Sequence, residues 1–264
     1  MKVLATTLSL LAILPMALHS DLASARSLQE VQASKTLNIV TTASSPPHGF
    51  MDPASNSLKG IMVEVGEAVA KRLGATANFT NVPFAGLIPT LTSGRADLMS
   101  APLFITDERA QVVDFSTPIY GWGEGVVVSE KAPMKYPNMD ALKGKKVGTL
   151  VDSVQYRMIK DLPGTQVSTY PDYPSLLADV RVGRIDLGVV DPPSILFQIR
   201  SKSIPGVGID NSYKADKVFW VGTAAQKGNK ELVEAVNKAL ADMKSSGELQ
   251  KILAKWGVGN LEAK

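Results

Sequence analysis

Apolar and polar positions follow two rhythms along the chain, and the rhythm switches repeatedly. Short apolar runs of strand length at 36–40, 75–80 and 96–100 alternate with stretches at 61–73 and 86–92. In those stretches apolar residues recur every three to four positions, the spacing of one helix face. Gly74 sits where the first helix should stop. The series then starts again, with strands at 146–150, 166–170 and 185–190 and helices at 153–162, 174–182 and 192–200; helical patterns at 230–245 and 247–256 end the chain. Strands alternating with helices predict parallel sheets covered on both faces.

A weak internal repeat sharpens this expectation. Leu91-Thr92-Ser93-Gly94-Arg95-Ala96-Asp97-Leu98 resembles Val180-Arg181-Val182-Gly183-Arg184-Ile185-Asp186-Leu187, 89 residues further on. Each reads as a helix end, a glycine stop and a strand that opens with Asp-Leu. Alone, Gly-Arg-x-Asp-Leu is ordinary turn chemistry; within two matching series of elements it predicts two similar α/β lobes. A length of 264 residues suits two lobes of roughly 100 residues each.

Composition removes some function classes. There are 28 basic and 25 acidic residues, a net charge of +3, and no strong basic patch of the kind that binds nucleic acid. The densest basic cluster, Lys143-Gly144-Lys145-Lys146, reads as a solvated loop before a strand. At the N-terminus Lys2, an apolar stretch over 3–18 and Ala23-Ser24-Ala25 form a secretory signal, with cleavage expected after Ala25. That stretch is shorter than the ~20 residues that span a bilayer, and no later segment is expected to cross one. The chain has no cysteine, so neither disulfides nor a lipid-modified cysteine are expected; the sequence predicts an untethered periplasmic protein held together by its core.

Several segments occur together in one order: 60–74, Asn81-Val82-Pro83-Phe84-Ala85-Gly86-Leu87-Ile88-Pro89-Thr90-Leu91, Ile105-Thr106-Asp107-Glu108-Arg109, Val113-Asp114-Phe115-Ser116, 142–148, Gly183-Arg184-Ile185-Asp186 and Lys227-Gly228-Asn229. Over 36–257 the chain thereby resembles the family 3 extracellular solute-binding proteins, which serve ABC importers of polar amino acids. The resemblance implies a type II periplasmic-binding-protein fold, two Rossmann-like α/β lobes joined by two crossover segments near 123–128 and 219–223. Its organisation would be a signal peptide at 1–25, lobe one from 26–125 and 222–264, and lobe two from 126–221. It also implies a monomer that closes its hinge on an amino acid or related zwitterion and delivers it to a membrane permease, without a cofactor. In open α/β sheets ligands sit beyond the carboxyl ends of strands, so loops there should carry the site.

Arg109 is the leading candidate. Thr106 reads as a helix N-cap followed by acids at Asp107 and Glu108; a guanidinium there makes a forked carboxylate site or, equally, a surface ion pair. The family's matching arginine holds the ligand α-carboxylate. Asp191 ends a strand before Pro192-Pro193 and reads as an N-cap; the family's corresponding acid receives the α-ammonium. Phe84 is by default a core residue, but the family places an aromatic there against the ligand side chain. Ser153 opens a helix as an N-cap, and the family uses a hydroxyl near it for the carboxylate.

Departures from the family pattern fall around the same pocket. Ser45 stands where an aromatic is usual, His48 where Phe is usual, Phe104 where a small hydroxyl contacts the carboxylate, and Met62 where Asp is frequent. The expectation is a more apolar pocket with extra space beside Phe84. Asp152 is expected to cap a helix or to meet a cationic ligand. Trp122, flanked by Gly121 and Gly123, is expected to pack under the hinge or wall the cleft, with the glycines absorbing backbone rotation on closure.

The competing class is an enzyme, because cyclohexadienyl dehydratases share this architecture. They need an acid a few residues beyond the Asp191 position, where this chain reads Pro192-Pro193-Ser194-Ile195. After removal of the signal one histidine, His48, remains, which leaves little material for nucleophilic or metal chemistry. A receptor's sensing lobe is a third reading, without an output domain to support it. The sequence therefore predicts a binding protein with no catalytic activity.

Overall fold

The computed structural model describes residues 26–131, 133–201 and 205–263; the expected signal peptide at 1–25 lies outside them. Two five-stranded sheets carry the architecture, and they share one plan. The first runs Thr76–Asn81, Thr36–Thr41, Leu98–Met99, Ala224–Gln226, Val113–Phe115; the second runs Gln166–Tyr170, Lys146–Leu150, Leu187–Val190, Gly125–Ser129, Val207–Ile209. In both, the first three strands are parallel and the fourth is antiparallel to its neighbours. That fourth strand is in each case the segment that follows a passage between the lobes: Gly125–Ser129 on the way out, Ala224–Gln226 on the way back.

The passage itself is a two-stranded ribbon, Tyr120–Trp122 paired antiparallel with Phe219–Val221. The first crossover therefore lies a few residues before the expected 123–128, because 125–129 already belongs to the second sheet. Gly121 is required there by close approach: a Cβ would lie 2.5 Å from the Phe219 carbonyl oxygen and 2.6 Å from the Trp220 ring. Its role is to let the two hinge strands touch, a different demand from the backbone rotation that the sequence suggested.

The internal repeat acquires a physical meaning. Gly94 and Gly183 both take positive φ, 73° and 74°, the left-handed stop that favours glycine. Three residues on, Asp97 accepts from the Asn38 amide at 2.8 Å and Asp186 accepts from the Lys146 amide at 2.8 Å. Each aspartate thus pins the start of its own strand to the start of the strand beside it.

Both sheets are covered on both faces, as parallel sheets require. Alternate residues of Thr36–Thr41 face opposite ways: Ile39 packs with helices Ile61–Arg72, Lys230–Ser245 and Glu248–Lys255, whereas Val40 packs with Leu87, Leu91 and Met99. In the second sheet Val127 and Val190 face one cluster, and Val126, Val128 and Val189 face the other. The helices follow the predicted pattern closely: Pro192–Arg200 and Lys230–Ser245 coincide with it, and the others differ by a few residues at their ends. The sequence pattern did not anticipate the helix Leu28–Ser34, the antiparallel fourth strand and the fifth strand of each main sheet, or the small antiparallel sheet Ser44–Ser45, Gly49–Asp52, Ser57–Lys59, whose strands are too short to set a period. This sheet leads into Ile61–Arg72 through Gly60 at φ 132°, where a Cβ would lie 2.6 Å from the His48 carbonyl oxygen. That closeness lets the Pro47 and His48 carbonyls accept from the Ile61 and Met62 amides, at 2.9 Å each, and anchors the loop that carries Ser45.

Candidate ligand-binding cleft

The two sheets point the ends of their strands at one another, and a cavity of about 10 Å³ lies between them, room for about one water. Ser45, Phe84, Pro102, Phe104 and Arg109 reach it from one side; Thr149, Leu150, Ser153, Val154, Gln155, Tyr173 and Asp191 reach it from the other. The walls nearly touch, so a ligand larger than water needs them to part, which separates Arg109 from the Asp152 carbonyl across the cleft.

Arg109 sits in a single helical turn, Asp107–Ala110, capped by Thr106, whose hydroxyl accepts from the Arg109 amide at 3.3 Å. One turn makes only a small dipole, so the charge offered to an anion is the guanidinium itself. The side chain is 4% exposed. Nη1 donates to the Phe104 carbonyl at 3.0 Å, and Nη2 crosses the cleft to the Asp152 carbonyl at 2.9 Å. The alternative of a surface ion pair fails, because the neighbouring acid Glu108 pairs instead with Arg157 of the opposite lobe at 2.8 Å. Burial, then the nearby Arg157, lowers the Arg109 pKa to about 10, which leaves it fully charged at neutral pH.

Asp191 occupies the N-cap position of Pro192–Arg200, yet its side chain makes no capping bond. Instead Oδ1 accepts from Trp122 Nε1 at 2.9 Å and from Gln155 Nε2 at 2.7 Å, while its backbone amide donates to the Tyr173 hydroxyl at 3.1 Å. The carboxyl is 9% exposed. Burial raises its pKa, opposed by the bonds from Trp122, Tyr173 and Gln155 and by the charge of Arg109. A buried carboxylate satisfied by neutral donors alone remains a strong acceptor for a cation.

The remaining candidates divide. Phe84 is half-buried at the cavity edge. Phe104 lines the cavity, and its ring centroid lies 4.9 Å from Trp122 and 5.1 Å from Phe219. Ser45 is 2% exposed and faces the same space. Ser153 caps Val154–Ile159 by accepting from the Tyr156 amide at 3.0 Å and donates to the Leu150 carbonyl at 2.7 Å. Ser153 performs the capping expected of Asp152, which is exposed, lines a neighbouring cavity of about 200 Å³ with Phe84, Arg109 and Arg157, and at φ 57° presents its carbonyl to Arg109. Thr106 acts through the cap and does not line the cavity.

Two expectations are corrected. Met62 is fully buried in the first lobe's core, so it does not tune the pocket. His48 is also outside the lining: it is fully buried, stacked on Trp122 with ring centroids 4.7 Å apart and planes 11° from parallel, and its Nδ1 lies 2.7 Å from the Tyr120 hydroxyl. It supports the tryptophan that holds Asp191. Sequence reasoning missed Gln155, Thr149 and Tyr173, because a glutamine within an apolar helix and a hydroxyl within a strand carry no motif.

Burial lowers the His48 pKa to about 3, and Nε2 has no partner. Above pH 6.5 the ring is neutral in both folded and unfolded chains, and its contribution to stability is unaffected by pH. As pH falls below that value the unfolded chain takes up a proton that the folded one refuses, so stability is lost by about 1.4 kcal/mol per pH unit. Denaturant melts at pH 7 and 5 should therefore differ by about 2 kcal/mol from this residue, and His48→Phe should remove that part of the slope. An unchanged slope would put the proton-linked loss elsewhere.

Residues 37–259 match the model of the bacterial extracellular solute-binding proteins, family 3. The chain is 32% identical to the L-cystine-binding protein TcyJ of Escherichia coli (strain K12) over 230 residues, covering 87% of this chain and 85% of that one. Among solved structures, an ancestral arginine-binding protein bound to arginine is 34% identical with a TM-score of 0.77, covering 84% and 98% of the two chains. An ancestral amino acid-binding protein described as a precursor of cyclohexadienyl dehydratase is 28% identical with a TM-score of 0.79, covering 87% and 98%. Two lobes of one topology, a ribbon between them and a cleft with opposite charges on its two walls are accounted for together: the chain belongs to the family 3 bacterial extracellular solute-binding proteins.

Proposed function

We propose that the protein captures an amino acid or a related zwitterion by closing its two lobes, and hands it to the membrane permease of an ABC importer. The observation that carries this reading is the placement of Arg109 and Asp191 on opposite walls of one enclosed cavity, each buried and neither in an ion pair. The α-carboxylate takes the guanidinium, and Ser153 adds a bond to it only by turning its one proton away from the Leu150 carbonyl; the α-ammonium takes the Asp191 carboxylate, whose Oδ1 already holds Trp122 and Gln155. Phe84, Phe104 and Ser45 receive the side chain.

Closure follows from the same contacts. A ligand that touches both lobes binds the closed form better than the open one, and that difference in affinity shifts the population. Arg109 to the Asp152 carbonyl, and Glu108 to Arg157, latch the lobes at the cleft rim. The Glu108–Arg157 pair is largely solvent-exposed, so it contributes at most about 1 kcal/mol, leaving the ligand as the main determinant. The names of the relatives, cystine-, arginine- and amino acid-binding, support an amino acid ligand, and a periplasmic monomer freed from its signal peptide after Ala25 fits this reading. Binding is favoured over dehydration because the helix after Asp191 opens with Pro192, Pro193 and Ser194, so the wall offers no second acid.

A thermal-shift screen over amino acids and amine-bearing carboxylates tests the proposal. A ligand at a hundred times its Kd adds about 2.7 kcal/mol, a rise of roughly 5–10 °C for a chain of this size. If no amino acid moves the melting temperature while prephenate or arogenate is turned over, the reading is wrong.

A further inference from the structure

Asp191 stands at an N-cap position but is released from capping. The first two residues of its helix, Pro192 and Pro193, have no N–H to offer, and the next amide, that of Ser194, already donates to the Asp191 carbonyl at 3.1 Å. The carboxylate turns onto side-chain donors instead, and one of them belongs to neither sheet. Trp122 ends the hinge strand Tyr120–Trp122 and lies opposite Phe219 of the returning strand, so the ribbon between the lobes sets its place.

From there Trp122 reaches the supports of both charges. Its Nε1 donates to Asp191 Oδ1 at 2.9 Å. Its ring packs on Phe104, with centroids 4.9 Å apart, and the Phe104 carbonyl accepts from Arg109 Nη1 at 3.0 Å. The indole is itself held, stacked on His48, whose Nδ1 is hydrogen-bonded to the Tyr120 hydroxyl. Trp122 is buried and does not line the cavity, so it acts through its neighbours.

We propose that Trp122 is a positioning residue for capture: its N–H aims the Asp191 carboxylate at the ligand ammonium, and its ring steadies the Phe104 segment that fixes Arg109. The hinge thereby sets the spacing of the two charges. This inference rests on the capture reading above.

A pH dependence follows that packing alone would not produce. Burial raises the Asp191 pKa, and the Trp122 bond heads the influences that oppose it. Without that bond the carboxyl takes up its proton, and releases the ammonium, at a higher pH. The titratable groups facing Asp191 are Arg109, Tyr120 and Tyr173. Arg109 at about 10 and the two phenols, pushed up by burial, keep their protons from pH 5 to pH 8, while His48 at about 3 stays neutral behind Trp122.

Trp122→Phe keeps a ring against His48 and Phe104 and removes the donor. Variant and unaltered protein, unfolded and refolded to strip co-purified solute, are titrated calorimetrically at pH 8 and pH 5. The probe is the amino acid that the unaltered protein binds most tightly, and the ratio of the two Kd values cancels the ligand's own titration. The variant should bind roughly tenfold more weakly at pH 8, the scale of one hydrogen bond to a charged group. The ratio should grow roughly threefold or more at pH 5. Equal affinities, or one ratio at both pH values, would overturn the proposal and leave capture standing. If no amino acid binds the unaltered protein, the capture reading falls and this one with it. If the variant does not melt cooperatively, indole N–H signals of the unaltered protein decide, assigned with Trp220→Phe and Trp256→Phe. The Trp122 signal should shift when ligand is added; a Trp122 signal unmoved by saturating ligand would equally overturn the proposal.

Discussion

Arg109→Met should weaken ligand binding by about 2–5 kcal/mol, roughly 30- to 5,000-fold in Kd, the usual cost of removing one partner from a buried charge pair. The loss is large because nothing else in the cavity is positive: a ligand carboxylate would be enclosed against Ser153 and the methionine, with no cation to balance it. The fold should survive. The two bonds lost are to the Phe104 and Asp152 carbonyls, each worth about 1.5–3 kcal/mol for a charged donor, a loss partly offset because the variant is relieved of a buried charge. Calorimetric titration with the best ligand, beside a thermal melt without it, separates the two effects. Undiminished affinity would remove Arg109 from the site.

Asp191→Asn should be comparably severe for binding and mild for stability, because the two demands on this side chain differ. An asparagine keeps an oxygen that can accept from Trp122 and Gln155, so the buried donors stay satisfied. It also removes a carboxyl that burial disfavours in its charged form. The ligand ammonium, however, loses its counter-charge and meets an amide instead, and a cost of about 2–5 kcal/mol in affinity follows. The melting temperature without ligand should stay within a few degrees. A variant that binds normally, or one that fails to fold, would show that Asp191 serves the fold and not the ligand.

These two residues also mark what the sequence disclosed. The alternation of periods predicted the three parallel strands of each sheet and most helices, because strands buried on both faces leave continuous apolar runs and their helices leave amphipathic ones. It missed the other two strands of each sheet, Val113–Phe115, Ala224–Gln226, Gly125–Ser129 and Val207–Ile209, and the helix Leu28–Ser34. The elements at the hinge left no such signal. Tyr120–Trp122 and Phe219–Val221 are three residues each, too short for a period, and Gly121 reads as flexible until Phe219 is seen against it. Arg109 and Asp191 were visible through their neighbours, Thr106-Asp107-Glu108 and Pro192-Pro193, but only as ends of elements. That they share a cavity depends on how the two lobes meet.

The errors have a common cause. His48 lies three residues beyond Ser45, which lines the cleft, and Met62 lies in the first turn of the helix that follows, Ile61–Arg72; departures from the family pattern placed both in the pocket. Both side chains in fact turn into the core behind it, His48 against Trp122 and Met62 into the first lobe. Gln155 was invisible for the opposite reason. Its position in the first turn of Val154–Ile159 looks like surface chemistry, whereas it is 4% exposed and bonded to Asp191. Sequence order fixes neighbours along the chain; the direction of a side chain at a lobe boundary comes from tertiary packing.

A crystal structure of the protein with the ligand that gives the largest thermal shift addresses the central idea most directly, that one zwitterion joins the two lobes. The ligand carboxylate should lie about 2.7–2.9 Å from the Arg109 guanidinium and its ammonium at a similar distance from Asp191, inside a closed cleft. A ligand held by one lobe alone, or seated away from both side chains, would contradict it.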